Sequence, residues 1–120
     1  MPASTPKTAT SQAERRRRRH PRFRGDFHVA VTILLGNRYQ EVEGHCRDLS
    51  EAGIGIVLAT ELNVGEVASL GFTLPGMSPW ELRAVLRFRR GYHYGFEFLS
   101  LPVEKQETLR AYLKNLQRID

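Results

Sequence analysis

The fold is decided by residues 27–37, FHVAVTILLGN, where large apolar side chains occupy every second position before a Gly-Asn pair. This period of two predicts a half-buried strand over about Asp26–Leu35. The pair Gly36-Asn37 predicts a hairpin turn, because both residue types tolerate positive φ. A second strand, antiparallel to the first, is then expected over about residues 38–47.

Further along the chain the same period returns in four shorter segments. They are residues 54–58, 67–74, 81–89 and 92–98, with turn signals at 63–65, at Pro75-Gly76 and at Gly91. One face of the segment 81–89 is predicted to hold Leu82, Ala84, Leu86 and Phe88. Six short strands with turn signals between them predict a closed or nearly closed antiparallel β-barrel.

After Pro102 the apolar period becomes helical. The stripe consists of Leu109, Tyr112, Leu113, Leu116 and, at its end, Ile119. This spacing predicts an amphipathic helix, and proline suits a first helical turn because its missing N–H costs nothing there. We therefore expect an all-β fold, a six-stranded antiparallel β-barrel, with a C-terminal α-helix over about residues 102–119 that covers an open end or flank of the barrel.

Basic charge is concentrated at the N-terminus of the 120-residue chain. Residues 1–25 contain eight basic residues and one acidic residue, net +7, whereas the remainder contains ten basic and twelve acidic residues, net −2. Residues 1–14, rich in Pro, Thr, Ser and Ala, are predicted to be a disordered tail. Residues 15–24 are predicted to be an arginine-rich ligand-binding arm, and residues 25–120 the barrel domain. The nearly neutral body argues against a nucleic-acid-binding surface spread over the domain.

The remaining composition argues for a cytoplasmic protein. Cys46 is the single cysteine, so an internal disulfide is impossible, which suits a reducing compartment. No apolar run approaches the roughly 18 residues that a membrane helix needs. The N-terminal composition is also similar to that of an organellar transit peptide, but residues 2–14 lack an apolar face. His45-Cys46 and the other histidines have no recognised metal-ligand spacing, so no metal or cofactor is expected.

Two short motifs stand out against this background. Arg18-x-x-x-Arg22 ends a run of five arginines just before the first strand, and Asp48-x-Ser50-x-x-Gly53 interrupts the alternation after the second strand. Each motif alone is unspecific. Arg15 and Arg19 also fit the first pattern, the run could be a solvated arm, and the second pattern is typical of a side-chain-capped turn.

Taken together, the motifs resemble the paired signature of the PilZ domain family. They occur in the family's order, about 25 residues apart, on a predicted barrel. His20-Pro21-Arg22 leading into a strand and Gly95-Phe96-Glu97-Phe98 in the last strand extend the resemblance to roughly residues 15–115. Members of that family are six-stranded barrels with a C-terminal helix, and many bind the bacterial second messenger cyclic di-GMP.

The resemblance also implies a set of ligand-binding residues. They are Arg17, Arg18, Arg19, Arg22, Asp48, Ser50 and Gly53. In family members with a basic residue at the position of Arg17, that residue often helps to hold two mutually stacked ligand molecules. Two cyclic di-GMP molecules per chain are therefore expected, and their binding is expected to order the arm.

The residue types suit the implied roles. Arg18 and Arg22 can pair bidentately with phosphates or with the O6/N7 edge of guanine. Asp48 can accept hydrogen bonds from guanine N1–H and N2–H₂, a pattern that adenine does not offer. Ser50 can donate to a phosphate oxygen, and Gly53 permits close approach of the backbone.

The expected function is a cyclic di-GMP receptor or effector domain without catalysis, which changes its conformation and partner surface when the messenger binds. A downstream protein partner is expected, without an identity. Two alternatives remain open: a protein-interaction adaptor that binds the ligand weakly or not at all, and a nucleic-acid binder that uses the arginine arm and has steep salt dependence. No nucleophile–base pair, carboxylate pair or phosphate-cradling glycine loop indicates an enzyme.

Overall fold

Residues 20–119 are described by the structure, a computed structural model; the predicted tail and Arg17, Arg18 and Arg19 lie outside the described residues. The elements of the described range are β1 (Phe23–Leu35), β2 (Arg38–Leu49), β3 (Gly53–Leu58), β4 (Val67–Phe72), β5 (Trp80–Arg90), β6 (His93–Phe98) and α1 (Val103–Leu113). The six strands are antiparallel to their neighbours and close into a barrel in the order β1-β2-β3-β6-β5-β4. The expected six-stranded barrel with a C-terminal helix is confirmed.

The first two strands form the hairpin that the alternating stretch predicts. Leu35 pairs with Arg38 across the turn, where Gly36 has a φ of 63°. β1 begins at residue 23, earlier than the predicted start, because Phe23 pairs with Leu49 at the far end of β2. The last two residues of the predicted arm therefore belong to the barrel.

The core fills the barrel and continues beneath α1. Fully buried members from the strands include Val29, Val31, Ile56, Leu70, Leu86 and Tyr94. From the helix, Leu109 and Leu113 enter the core and Tyr112 packs against it, as does Leu116 just after the helix. The helix thus covers the barrel with the apolar stripe that its sequence predicts.

The helix is shorter than predicted. It spans Val103–Leu113 rather than residues 102–119, and Ile119, expected on its apolar stripe, is 44% exposed. After a turn, the chain forms an extended C-terminal segment, residues 117–119, against the start of β1. Within residues 20–119, no helix combines the length and the apolar character that crossing a membrane requires.

Backbone hydrogen bonds explain why the chain leaves the helix early. The Arg24 N–H donates to the Gln117 carbonyl at 2.8 Å, and the Ile119 N–H donates to the Arg22 carbonyl at 3.0 Å. β4 pairs with β1 at residues 30–32, so it leaves the first residues of β1 without a strand on that side. The C-terminal segment takes this place and satisfies their backbone groups.

A β-bulge in β2 turns Asp48 away from the core. Cys46 pairs with Ile56 of β3, but Asp48 pairs with Gly55, so one extra residue lies in β2 between the two pairs. Ile56 is buried in the core, and its neighbour Gly55 therefore faces outward. Asp48, opposite Gly55, also faces outward.

A second bulge, in β5, reverses the alternation at Phe88. Leu86 pairs with the buried Phe96, whereas Phe88 pairs with Gly95 on the outer face. The prediction that Phe88 shares an inward face with Leu86 is therefore wrong. The extra residue shifts every later side chain to the opposite face, and a period of two read from one strand cannot show it.

Candidate functional site

A row of outward-facing residues crosses five neighbouring strands of the barrel. In the strand order β1, β2, β3, β6, β5 it contains Arg24, Asp48, Gly55, Gly95 and Phe88, each opposite the next. Gly55 and Gly95 form the middle of this row, and we call them the glycine floor. The two bulges create the row, because without them Asp48 and Phe88 would face the core.

Side chains from both sides fold over the glycine floor. A Cβ atom at Gly55 would lie 2.5 Å from Asp48 Oδ2 and 2.6 Å from His93 Nε2, and one at Gly95 would overlap the Phe88 ring. The rings of Phe88 and His93 meet edge to face, with centroids 6.1 Å apart. The floor is therefore bounded by a carboxylate, an imidazole and an aromatic ring, and it has no room for side chains of its own.

Asp48 is held by side chains from two other parts of the chain. Arg22 Nη1 donates to Asp48 Oδ1 at 2.5 Å, and His93 Nε2 lies 3.4 Å from Oδ2. Asp48 is 6% exposed. Burial alone would raise the pKa of Asp48, but its contacts with His93 and Arg22 outweigh that effect and hold the pKa below its ordinary value. Asp48 is therefore ionised at neutral pH and anchors both neighbours.

The loop between β2 and β3 is a side-chain-capped turn. Ser50 Oγ accepts hydrogen bonds from the backbone N–H groups of Ala52 and Gly53, each at 3.1 Å, and the Ser50 N–H donates to the Gly53 carbonyl at 2.9 Å. A Cβ atom at Gly53 would overlap the backbone carbonyl of Phe96. Ser50 and Gly53 thus fix the loop that follows Asp48, and Ser50 is only 5% exposed.

The predicted ligand-binding residues fall into two groups. Arg22, Asp48, Ser50 and Gly53 lie within the described range, and the fold brings Arg22 against Asp48 beside the loop that Ser50 caps. Arg17, Arg18 and Arg19 lie outside the described residues.

Four residues around the glycine floor belong to neither motif: Gly55, Gly95, Phe88 and His93. A glycine inside a strand can indicate that another group approaches closely, and Gly55 carries that signal in the sequence. Phe88 and His93 carry no comparable signal. Their positions depend on strand pairing and on the bulge in β5, which local sequence does not reveal.

Glu51 connects the loop to two other elements. Its Oε1 lies 3.9 Å from His20 Nδ1 of the arm and 3.0 Å from Arg110 Nη2 of α1. These contacts link the loop after Asp48 to the arm and to the helix. Among residues 20–119, no group of three or more His, Cys, Asp or Glu side chains is arranged to hold a metal ion.

Known proteins share this architecture. The family model of the PilZ domain matches residues 16–115. The chain is similar to the PilZ domain with c-di-GMP of YcgR from Escherichia coli, with a TM-score of 0.66, 20% identity, and coverage of 83% of this chain and 91% of that one. It is also similar to the inhibitor of motility MotI/DgrA of Bacillus subtilis, with a TM-score of 0.66, 23% identity, and coverage of 82% of this chain and 49% of that one. A third similar structure is the PilZ domain of CeSA from a cellulose-synthesizing bacterium, with a TM-score of 0.59, 17% identity, and coverage of 78% of this chain and 94% of that one.

A relative in sequence extends these likenesses. An uncharacterized protein of Aquifex aeolicus (strain VF5) is 29% identical over 105 residues, which are 84% of this chain and 50% of that protein. The chain therefore spans about half the length of this relative. The solved structures, all below 25% identity, establish the fold. The family model covers most of the chain, including both motifs, and the chain therefore belongs to the PilZ domain family.

Proposed function

We propose that this protein is a cyclic di-GMP receptor without catalytic activity, whose conformation and partner surface change when the messenger binds. The observation that carries the proposal is the Arg22–Asp48 ion pair, which joins the two motifs beside the glycine floor on the outer face of the barrel. PilZ domains are binding and regulatory domains, and the neighbouring YcgR structure is described with c-di-GMP.

The Arg22 guanidinium is suited to an anionic nucleotide. It has five N–H donors in a rigid fork, and the bond from Nη1 to Asp48 holds one side of that fork. A guanidinium held in this way can meet a phosphate, or a guanine O6/N7 edge, with two parallel bonds. A bidentate contact to a base contributes roughly 1–3 kcal/mol of discrimination.

In the free protein, Asp48 already positions its neighbours for ligand binding. Its two oxygens already contact Arg22 and His93, and little of the side chain is exposed. Each carboxylate oxygen can accept more than one hydrogen bond. The predicted contact with guanine N1–H and N2–H₂ therefore requires Arg22 or His93 to share an oxygen or to move.

The Phe88 ring offers a flat surface that suits a purine. Gly55 and Gly95 are buried beneath the neighbouring side chains, and the half-buried Phe88 ring lies against Gly95. Stacking of a base on an aromatic ring contributes about 1–3 kcal/mol. The site thus combines a cationic side, from Arg22, with a flat side, from Phe88.

The proposed stoichiometry of two stacked ligands depends on the arginine run. The predicted ordering of the arm, residues 15–24, would cost roughly 1–2 kcal/mol of backbone entropy for each residue that binding orders. A stacked pair of cyclic di-GMP brings four phosphate charges for Arg17, Arg18, Arg19 and Arg22, and it relieves the repulsion within the run. We expect Arg17→Leu to lower the stoichiometry toward one.

Two contacts support transmission of the binding event to the C-terminal part of the chain. Glu51, in the loop after Asp48, pairs with Arg110 of α1, and the Arg22 carbonyl accepts the Ile119 N–H. A ligand that moves the loop or Arg22 therefore acts on α1 and the C-terminal segment. The Bacillus subtilis neighbour is described as an inhibitor of motility, and an effector role of that kind suits a surface that responds to ligand.

Isothermal titration calorimetry of the full chain with cyclic di-GMP tests the proposal, with GTP and cyclic di-AMP as controls. We expect saturable binding of two cyclic di-GMP molecules and much weaker binding of the controls. Binding of one molecule would refute the stacked pair alone. No binding would favour the adaptor alternative, and equal, strongly salt-dependent binding of all anions would favour a nucleic-acid binder.

A further inference from the structure

His93 lies in the candidate site but belongs to neither motif. Its ring bridges two walls of the glycine floor: Nε2 lies 3.4 Å from Asp48 Oδ2, and the ring meets Phe88 edge to face. The Nε2 atom is buried and forms no hydrogen bond within residues 20–119, so its approach to Asp48 is a purely electrostatic contact, whereas the side chain as a whole is 35% exposed. The exposed part of the side chain therefore lies away from Nε2.

Charged and titratable groups approach His93 from several elements. Asp48 comes from β2, and Arg22, which pairs with Asp48, from the residue before β1. Arg90 of β5 is its direct strand partner, and His45 of β2 lies in the same row beyond Val57 of β3. Asp48 is the carboxylate in contact with Nε2, so it favours the tautomer with the proton on Nε2.

The position of Asp48 also determines what the other nitrogen can do. With the proton on Nε2, a neutral imidazole has an acceptor at Nδ1 and opposes phosphate oxygens or guanine O6. After a second proton is taken up, Nδ1 becomes a donor and the ring becomes a cation. Only the protonated ring attracts an anionic nucleotide.

We infer that His93 contacts the ligand directly and that its protonation strengthens cyclic di-GMP binding as the pH falls. The inference rests on the proposed function of this site. Histidine is the side chain that changes charge between about pH 5 and 8. A dianionic ligand beside His93 favours its protonated form, and by linkage the protonated form binds the ligand more tightly. Asp48 stays ionised over this range, because its pKa is below the ordinary value, so it does not produce the same dependence.

Two other histidines provide matched controls. His45 Nε2 pairs with Asp26 Oδ1 at 2.5 Å, on the same outer face but separated from His93 by Val57. His28 Nδ1 lies 4.0 Å from Glu43 Oε1 on an exposed part of β1. His45→Gln and His28→Gln each remove an imidazole from the outer face of the barrel and leave the contact between His93 and Asp48 in place.

The experiment is calorimetric titration of the full chain with cyclic di-GMP near the two ends of the range in which histidine titrates, about pH 5.5 and 8. Each titration is run in two buffers of different ionisation enthalpy, which measures proton uptake on binding. We expect binding to be about tenfold tighter at the lower pH, with net proton uptake. A tenfold change in affinity corresponds to about 1.4 kcal/mol of coupling between proton binding and ligand binding. His93→Gln should reduce the difference to less than about twofold, whereas His45→Gln and His28→Gln should retain it.

A second measurement does not depend on any variant folding. Ring ¹⁵N shifts of His93 in the parent protein should report a larger protonated fraction at neutral pH after saturation with cyclic di-GMP. Binding that is independent of pH, pH dependence that survives in folded His93→Gln, or a protonated fraction that does not rise would each overturn the inference and leave the proposed function intact. Absence of binding at both pH values would overturn the proposed function, and this inference with it.

Discussion

Two of the rows on the outer face of the barrel contain glycine beside a carboxylate or near one, and they differ in what lies above the glycine. One is the row with the glycine floor. The other contains Glu43, Ala30, Gly71 and Glu81 on the strands β2, β1, β4 and β5. A Cβ atom at Gly71 would have its nearest neighbours at 3.9 Å, an ordinary contact, whereas one at Gly55 would overlap Asp48 and His93.

The two rows also differ in how their charges are held. Asp48 is buried and contacts Arg22 and His93, whereas Glu43, 4.0 Å from His28, has an exposed side chain. Exposed pairs of this kind contribute only about 0–1 kcal/mol. In this barrel, a glycine beside a carboxylate is therefore structurally constrained in the row where the bulges bring other side chains over it. Substitutions at Gly55 and Gly71 test this difference between the two rows directly.

The largest expected effect is that of Gly55→Ala compared with Gly71→Ala. The new methyl group at residue 55 must displace Asp48 and His93, so we expect cyclic di-GMP affinity to fall by about 100-fold or more, from two lost contacts of about 1–3 kcal/mol each. Overpacking should also lower the free energy of unfolding by about 1–3 kcal/mol. Calorimetry and urea denaturation measure the two effects.

Gly71→Ala is the matched control. As a surface substitution whose methyl group makes only ordinary contacts, it should change the free energy of unfolding by less than about 0.5 kcal/mol and leave affinity unchanged. Equal losses of affinity in the two variants would contradict the distinction between the rows.

Arg22→Ala should weaken cyclic di-GMP binding by at least about tenfold, because it removes charge-assisted bonds of about 1.5–3 kcal/mol. Arg18→Ala, at a position outside the described residues, should do the same. Arg87→Ala is the control, since Arg87 pairs with Glu97 at 2.6 Å on an exposed part of the barrel. Calorimetry should find it within about twofold of the parent. Parent-like binding by both Arg22→Ala and Arg18→Ala would show that these arginines do not form the site.

Asp48→Ala should weaken binding by about tenfold, the loss of one charge-assisted contact, and should reduce the preference for cyclic di-GMP over cyclic di-AMP. Because Asp48 positions Arg22, a double-mutant cycle with Arg22→Ala should be non-additive. The double variant should bind about as weakly as Arg22→Ala alone. Fully additive losses would show that Asp48 does not act through Arg22. An undiminished preference for guanine would exclude Asp48 from base recognition.

The smallest effect concerns acid stability. The pKa of Asp48 is lower in the folded protein than in the unfolded chain. Its stabilising contribution is therefore present above the unfolded pKa and is lost as the pH falls through the folded pKa. Urea denaturation between neutral pH and pH of about 3 should show a shallower acid decline for Asp48→Asn than for the parent. Identical acid limbs would mean that the ion pair with Arg22 contributes nothing to folding.

Much of the fold could be predicted because its signals are local. The alternation around Val29 and Val31, the turn at Gly36-Asn37 and the helical stripe at Leu109 and Leu113 each lie within one element. Side chains separated by two residues in a strand, or by three to four in a helix, share a face whatever the rest of the chain does. Strand number, barrel class and the terminal helix follow from these periods.

The motif residues could also be found in the sequence, but their contacts could not. Arg22 and Asp48 are 26 positions apart, and only the pairing of β1 with β2 brings them together. The sequence indicates that residues 48–53 interrupt a strand. It does not show that Ser50 uses its hydroxyl to cap the turn or that Gly53 lies against the Phe96 carbonyl.

The sequence by itself therefore determined the barrel, its helix and the identity of the two motifs. Only the tertiary structure decided that Asp48 and Phe88 face outward, that His93 contacts Asp48, and that the chain leaves α1 to pair with β1. The physical reason is that a bulge is a mismatch in count between two paired strands. Its existence, and the face of every side chain after it, is a property of the pair and is not contained in either strand alone.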